Sequence, residues 1–189
     1  PANMIREDMR RLLREGLFSD VIFQFPKEGD GVEIRAHRNI LSARCAPLAA
    51  MLRSGMRESN CGVVTIGDGT SHRTLYAMVE YLYTGTMQVA SQDLDELLRC
   101  ANQYQLDHLK RLCERKLMRY IDRDNALDIL VPADHLAAPE LRGYCLHFVA
   151  KQPELLRGWL PLEESNEELA RLLKEIDGLQ RTLVLGGGQ

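Results

Sequence analysis

The first apolar pattern along the chain is helical. Ile5, Met9, Leu12 and Leu13 recur at i, i+4, i+7 and i+8 in an otherwise charged segment, which predicts an amphipathic helix ended by Gly16. The period then changes. Asp20 to Phe25 is a short β-rich run, Pro26 to Gly31 is a turn cluster, and Val32 to Ala36 alternates apolar with polar, so the three together predict a β-hairpin. Helical spacing returns from Arg38 to Ala43, and Pro47 in a first turn predicts a second short helix through Leu52. Ser54 to Gly62 is polar and loop-like, and Val63 to Ile66 is a third short strand. Leu75, Met78, Val79 and Leu82 form the next stripe, stopped at Gly85. Asp93 has the chemistry of an N-cap for the stripe Leu94, Leu97, Leu98, Ala101 and Tyr104. Leu106, Leu109, Leu112, Cys113 and Leu117 repeat the spacing one helix later. Ala126 to Leu130 and Pro139 to Ala150 predict a helix pair, Leu169, Leu172, Leu173, Ile176 and Leu183 a C-terminal helix, and residues 186–189 a disordered tail. Three early short strands followed by many short helices give an α+β class that is mostly α, with one small sheet.

Composition narrows the function classes. The 189 residues are 45% apolar and 27% charged, the balance of a globular chain with a core to bury. A net charge of −3 with both signs interspersed gives no reason to expect nucleic acid as the main partner. No segment approaches the roughly 20 apolar residues that span a bilayer, so no membrane partner is expected. The five cysteines are an odd number and stand singly, which argues against a disulfide framework and for an intracellular chain, cytoplasmic or nuclear. Neither they nor the five histidines have zinc-ligand spacing, and no phosphate-cradling or nucleophile motif occurs, so no metal, cofactor or catalytic residue is expected. His37 reads as a satisfied core histidine rather than a catalytic base.

Four motifs fall in register: Leu17-Phe18-Ser19-Asp20-Val21, Ala36-His37-Arg38-Asn39-Ile40-Leu41-Ser42-Ala43-Arg44, Tyr81-Leu82-Tyr83-Thr84-Gly85 and Ala101-Asn102-Gln103-Tyr104-Gln105-Leu106. In this order the chain resembles the BTB/POZ family over residues 4–121. The resemblance implies a small three-stranded sheet flanked by short helices, followed by a helical extension. Residues 122–162, with Asn125 to Leu130, Leu141 to Val149 and Leu156-Arg157-Gly158-Trp159, resemble the BACK-like segment of speckle-type and armadillo- or ankyrin-linked BTB adaptors. Residues 163–185 would then be a C-terminal helix. Pro132 departs from that pattern and predicts a kink or a break, since an interior proline costs about 3 kcal/mol.

The resemblance also implies roles. The first stripe packs either on its own domain or on a second subunit; the family does the latter, which makes Ile5, Met9, Leu12, Leu13 and Ile40 the expected homodimer interface. Asp20 and Arg38 match a charged pair in a pocket near the dimer axis, read either as a structural ion pair or as part of a binding pocket. Met56-Arg57-Glu58 matches the hydrophobic-x-Glu motif by which the family's adaptors grip the cullin-3 N-terminal region, with Tyr104 on the same face; the alternative is a solvated loop. The implied function is a dimeric, non-enzymatic interaction module serving a cullin-3 ubiquitin ligase, with substrate held by a domain outside this chain. The alternative is a dimerising scaffold or transcription-regulator module that ignores cullins.

Overall fold

The computed structural model describes residues 2–29, 31–53, 62–67, 69–152, 154–155 and 167–186. Met56, Arg57, Glu58, Cys61, Trp159, the side chain of Leu183 and the tail 187–189 lie outside the described residues. The chain divides into two compact units, Pro1–Cys113 and Glu114–Gln189.

The first unit opens with helix α1 (Ala2–Glu15), then strands β1 (Val21–Gln24) and β2 (Glu33–Ala36), helices α2 (Arg38–Arg44) and α3 (Ala46–Arg53), strand β3 (Val63–Thr65), and helices α4 (His72–Thr84) and α5 (Leu94–Gln103). The predicted hairpin forms: β1 pairs β2 antiparallel, with Val21 opposite Ala36 and Phe23 opposite Ile34. β3 joins the other side of β1 in parallel, Phe23 opposite Val64, giving the order β2–β1–β3. The period of two puts Val21, Phe23, Ile34, Ala36 and Val64 into the core while Gln24 and Arg35 face out. α4 packs against β2, α1, α2 and α5. Its stripe Leu75, Met78, Val79 and Leu82 is at most 2% exposed. Gly85 ends α4 in the left-handed conformation at φ 69°, donating its N–H to the Tyr81 carbonyl.

One expected cap is absent. Asp93 stands at the N-cap position of α5 but makes no side-chain cap. A 3-10 turn, Ser91–Asp93, leads into the helix and gives Asp93 φ −100° and ψ 0°, outside the extended conformation from which a side chain reaches the first helical N–H groups. Its carboxylate pairs instead with Arg73 at 2.8 Å.

Helix α6 (Asp107–Leu117) contains the boundary between the units. The second unit continues with α7 (Ala126–His135), α8 (Pro139–Ala150) and α9 (Glu167–Gly186). Pro132 does not break α7, which runs through it to His135. Ala126, Leu130 and Ala133 are fully buried on one face, and that burial outweighs the lost bond. The carbonyl deprived of a donor is that of Asp128, an exposed residue. α8 packs on α7, and α9 packs on α8 with Leu169, Leu172, Leu173 and Ile176 at most 5% exposed. These four residues of the C-terminal stripe are therefore covered within their own unit. Among the described residues no helix is long and apolar enough to cross a membrane.

Candidate protein-interaction surface

The stripe of α1 divides between inside and outside. Leu13 is 3% exposed and packs within its own unit, against the expectation that it faces a partner. Met9 and Leu12 are half-buried, and Ile5 is 63% exposed with its neighbour Met4 at 69%. The difference follows from how α1 is seated. Arg10 Nε meets the buried Glu80 carboxylate of α4 at 2.5 Å, and Arg6 Nε donates to the Thr84 carbonyl at 3.3 Å. These contacts fix the rotation of α1 about its axis. They turn Leu13 inward and leave the rest of the stripe at the surface.

Two shallow depressions meet at Met9. One is lined by Met9, Asn39, Ile40, Ala43, Leu82 and Tyr83, so it brings together α1 and α2 residues expected at a dimer interface. The other is lined by Asp8, Met9, Arg11, Leu12, Glu15 and Leu17. Beyond it the corner between α1 and β1 carries Leu17 at 53% and Phe18 at 95% exposure, the most exposed of the large apolar side chains described.

Asp20 and Arg38 do meet, but loosely. Arg38 Nε lies 4.0 Å from Asp20 Oδ2, with the side chains 33% and 56% exposed. An ion pair at that exposure contributes about 0–1 kcal/mol. The firmer contact is the Arg38 backbone N–H donating to Asp20 Oδ1 at 2.7 Å. His37, at the N-cap of α2, makes no side-chain cap, so Asp20 caps the helix from outside it. Arg38 Nη1 donates to the Leu52 carbonyl at 2.7 Å, near the end of α3. The geometry favours a fold-fixing pair over an open charged pocket.

Over residues 9–121 the chain matches the BTB/POZ domain. The chain belongs to the BTB/POZ family. Kelch repeat and BTB domain-containing protein 4 of Homo sapiens is 32% identical over 139 residues, covering 74% of this chain and 25% of that protein. TD and POZ domain-containing protein 2 of Mus musculus is 32% identical over 177 residues, 89% of this chain and 46% of its own length. BTB and MATH domain-containing protein 42 of Caenorhabditis elegans is 30% identical over 181 residues, 93% and 43%. The chain thus spans between a quarter and just under half of these relatives. The BTB domain is a protein-interaction module.

Within the BTB domain, His37 is 8% exposed and fully engaged. Its Nε2 lies 2.7 Å from the Leu17 carbonyl, which can only accept, so Nε2 carries the proton. Nδ1 and the His37 backbone N–H both meet Tyr83 Oη at 2.8 Å. Burial pushes the Tyr83 hydroxyl up to about 12, so it stays protonated and donates to Nδ1. This is the satisfied core histidine that the sequence predicts, and it braces the corner holding Leu17. Tyr104 sits at the C-cap of α5, is 7% exposed, and has its hydroxyl pushed up to about 12 by burial. Its carbonyl accepts from Cys45 Sγ at 3.6 Å. It therefore offers a partner little surface. Cys45, Cys100, Cys113 and Cys145 are buried thiols. Cys100 Sγ contacts Met78 Sδ at 3.4 Å, and the described residues contain no group of three or more His, Cys, Asp or Glu able to hold a metal. Sequence reasoning did not mark Met4, Leu17 and Phe18 as exposed apolar side chains. The last two stand in the first motif, where they served to identify the family and not to mark a surface.

Proposed function

We propose that this BTB domain forms a two-fold homodimer and acts as the adaptor subunit of a cullin-3 ubiquitin ligase. The observation that carries the dimer is the surface apolar run on a helix held firmly by its own unit: exposed Ile5 with half-buried Met9 and Leu12, and Ile40 of α2 in the depression beside Met9. An isologous contact is the common way to cover such a face. Charge at its centre would undo it. Met9→Asp combined with Leu12→Asp is expected to give a monomer by light scattering, and a double variant that stays dimeric overturns the interface.

The cullin role rests on Met56, Arg57 and Glu58, with Tyr104 as a minor contact. A flexible thioether fills an irregular pocket and a nearby carboxylate sets register. The chain itself would make and break no bond, and needs no cofactor or metal. It would raise the local concentration of a bound substrate at the ligase, twice over in a dimer. Relatives whose names join BTB to Kelch repeats or to a MATH domain support a substrate-recognition domain outside this chain. The segment 122–162 fits a BACK-like extension, and the whole fits an intracellular place, cytoplasmic or nuclear. Titration of the cullin-3 N-terminal region is the test. Met56→Asp with Glu58→Ala should abolish binding, and binding equal to that of the unaltered chain sinks the proposal. One observation favours the second reading, a dimerising scaffold or transcription-regulator module: the burial of Tyr104 reduces what that face offers a cullin. Absence of any cullin binding by the unaltered dimer would establish it.

A further inference from the structure

Helix α6 carries a row of arginines on its outer face. Arg111 and Arg115 stand one turn apart, about 6 Å along the axis, and Arg119 follows in the 3-10 turn Met118–Tyr120 that extends the helix. All three are exposed. Among the described residues, no acidic side chain pairs with Arg111 or Arg119. Arg115 meets Glu140 only loosely, at 3.6 Å with the two side chains 61% and 46% exposed. Like charges one turn apart work against a helix. The negative C-terminal end of α6 offsets this for Arg115 and Arg119, but not for Arg111 in the middle of the helix. The row also concentrates positive charge on a chain whose net charge is −3.

Apolar surface flanks the row. Leu112 is half-buried one turn before Arg115, and the Tyr120 side chain is 48% exposed beside Arg119. The turn that carries Tyr120 is pinned, because Asn125 Nδ2 donates to the Tyr120 carbonyl at 2.7 Å. Arginine and tyrosine on a fixed backbone are the residue types that dominate protein interfaces. We propose that this row is a docking surface for an acidic helical segment of a partner protein, whose carboxylates at four-residue spacing face Arg111, Arg115 and Arg119. The guanidinium fork suits a carboxylate, which it grips with two parallel hydrogen bonds. A nucleic acid fits less well. Exposed Asp107 begins the same helix, and exposed Asp122 and Asp124 follow the turn, so a continuous phosphate backbone would meet carboxylates at both ends of the row. The surface uses no residue assigned above to the dimer or to the cullin contact, and it stands independently of both readings.

The test titrates the full chain into a fluorescein-labelled, alanine-based helical peptide with glutamate at every fourth position, read by anisotropy. The peptide is expected to bind, and to bind more weakly as salt is raised. Arg111→Ala combined with Arg119→Ala should weaken binding on the order of tenfold or more. The same peptide with glutamine in place of glutamate should not bind. Alanine favours the helix and removes the repulsion, so the thermal midpoint of the double variant is expected to hold or rise. A fall in that midpoint means that the arginines serve their own fold, which overturns the proposal. So does an unaltered chain that ignores the acidic peptide, a double variant that binds it equally well, or a glutamine peptide that binds as tightly. A single-stranded oligonucleotide that binds the row more tightly than the acidic peptide assigns it to phosphate, and overturns the protein partner.

Discussion

The Glu114 carboxylate, 1% exposed, accepts the backbone N–H of Leu141 at 3.0 Å. α8 needs that acceptor. Its N-cap is Ala138, which has no side-chain oxygen, and Pro139 at its first position brings no N–H. Leu141 carries one of the first N–H groups of α8, and Glu114 satisfies it from α6 with a negative charge at the positive end of the helix. Removing the carboxylate orphans a buried donor. Glu114→Ala is expected to cost about 1–3 kcal/mol, read as a lower urea midpoint by circular dichroism. Glu114→Gln should fall between, because the amide oxygen still accepts but carries no charge. An unchanged midpoint for Glu114→Ala would mean that water caps α8 equally well.

A second, half-buried carboxylate makes stability depend on pH. Asp134 of α7, with its side chain 13% exposed, accepts from Arg142 Nε of α8 at 2.5 Å and pairs with Arg171 of α9. Arg142 also grips Glu175 of α9 with both terminal nitrogens. The hydrogen bond from Arg142, aided by Arg171, holds the Asp134 carboxyl below its ordinary value of 3.8 despite partial desolvation. The folded state thus binds this proton more weakly than the unfolded chain. Ionised Asp134 stabilises the fold fully above the ordinary value, and that contribution is lost as pH falls through the lower folded value. At pH 7, Asp134→Asn should cost about 1–2 kcal/mol. Thermal midpoints of the two proteins should converge in acid, once Asp134 is itself protonated. Parallel curves down to pH 2 would show that the charge is not what matters.

Gly62 is fixed by close approach. Its φ is 69°, and a Cβ there would stand 2.4 Å from the Asp20 carbonyl oxygen. Its own carbonyl accepts the Ile22 N–H at 2.7 Å, bringing β3 alongside β1. Neither backbone can yield without breaking the parallel pairing. Gly62→Ala combines a left-handed penalty with a backbone clash, and should cost more than about 2 kcal/mol. Expression as soluble protein with an unaltered melting midpoint would contradict this.

Local periodicity made the elements legible, because burial here follows it closely. Val21, Phe23, Ile34, Leu75, Met78 and Leu98 go where periods of two and 3.6 send them. Contacts between segments distant in sequence were not legible. Glu114 capping α8, Asp20 capping α2 and Glu80 orienting α1 are each set by tertiary approach. Asp93 failed as a cap for the same reason: a local rule met a backbone already turned by a 3-10 segment, with Arg73 nearby. Pro132 failed as a breaker because buried neighbours on its helix outweighed one missing hydrogen bond. The candidate surface was half legible. Ile5, Met9, Leu12 and Ile40 stand on the outside, but the rotation that hides Leu13 depends on Arg10 and Glu80, 70 positions apart.

The buried thiols should be chemically silent. Burial pushes Cys100 and Cys145 up to about 12, and it raises Cys45 as well. The thiolate is the reactive form. At pH 8, about four units below such a value, roughly one thiol in ten thousand is ionised, even before access is counted. Iodoacetamide at pH 8 should therefore leave Cys45, Cys100 and Cys145 unlabelled in the folded chain and label all three in denaturant, as read by peptide mass spectrometry. Cys100 has a further reason for protection, because its sulfur rests against Met78 at the centre of the α4–α5 packing. Labelling of Cys100 at the rate of a free thiol in native protein would require α5 to open on the timescale of the reaction. That would contradict the full burial of Leu94, Leu97 and Ala101 on the same face.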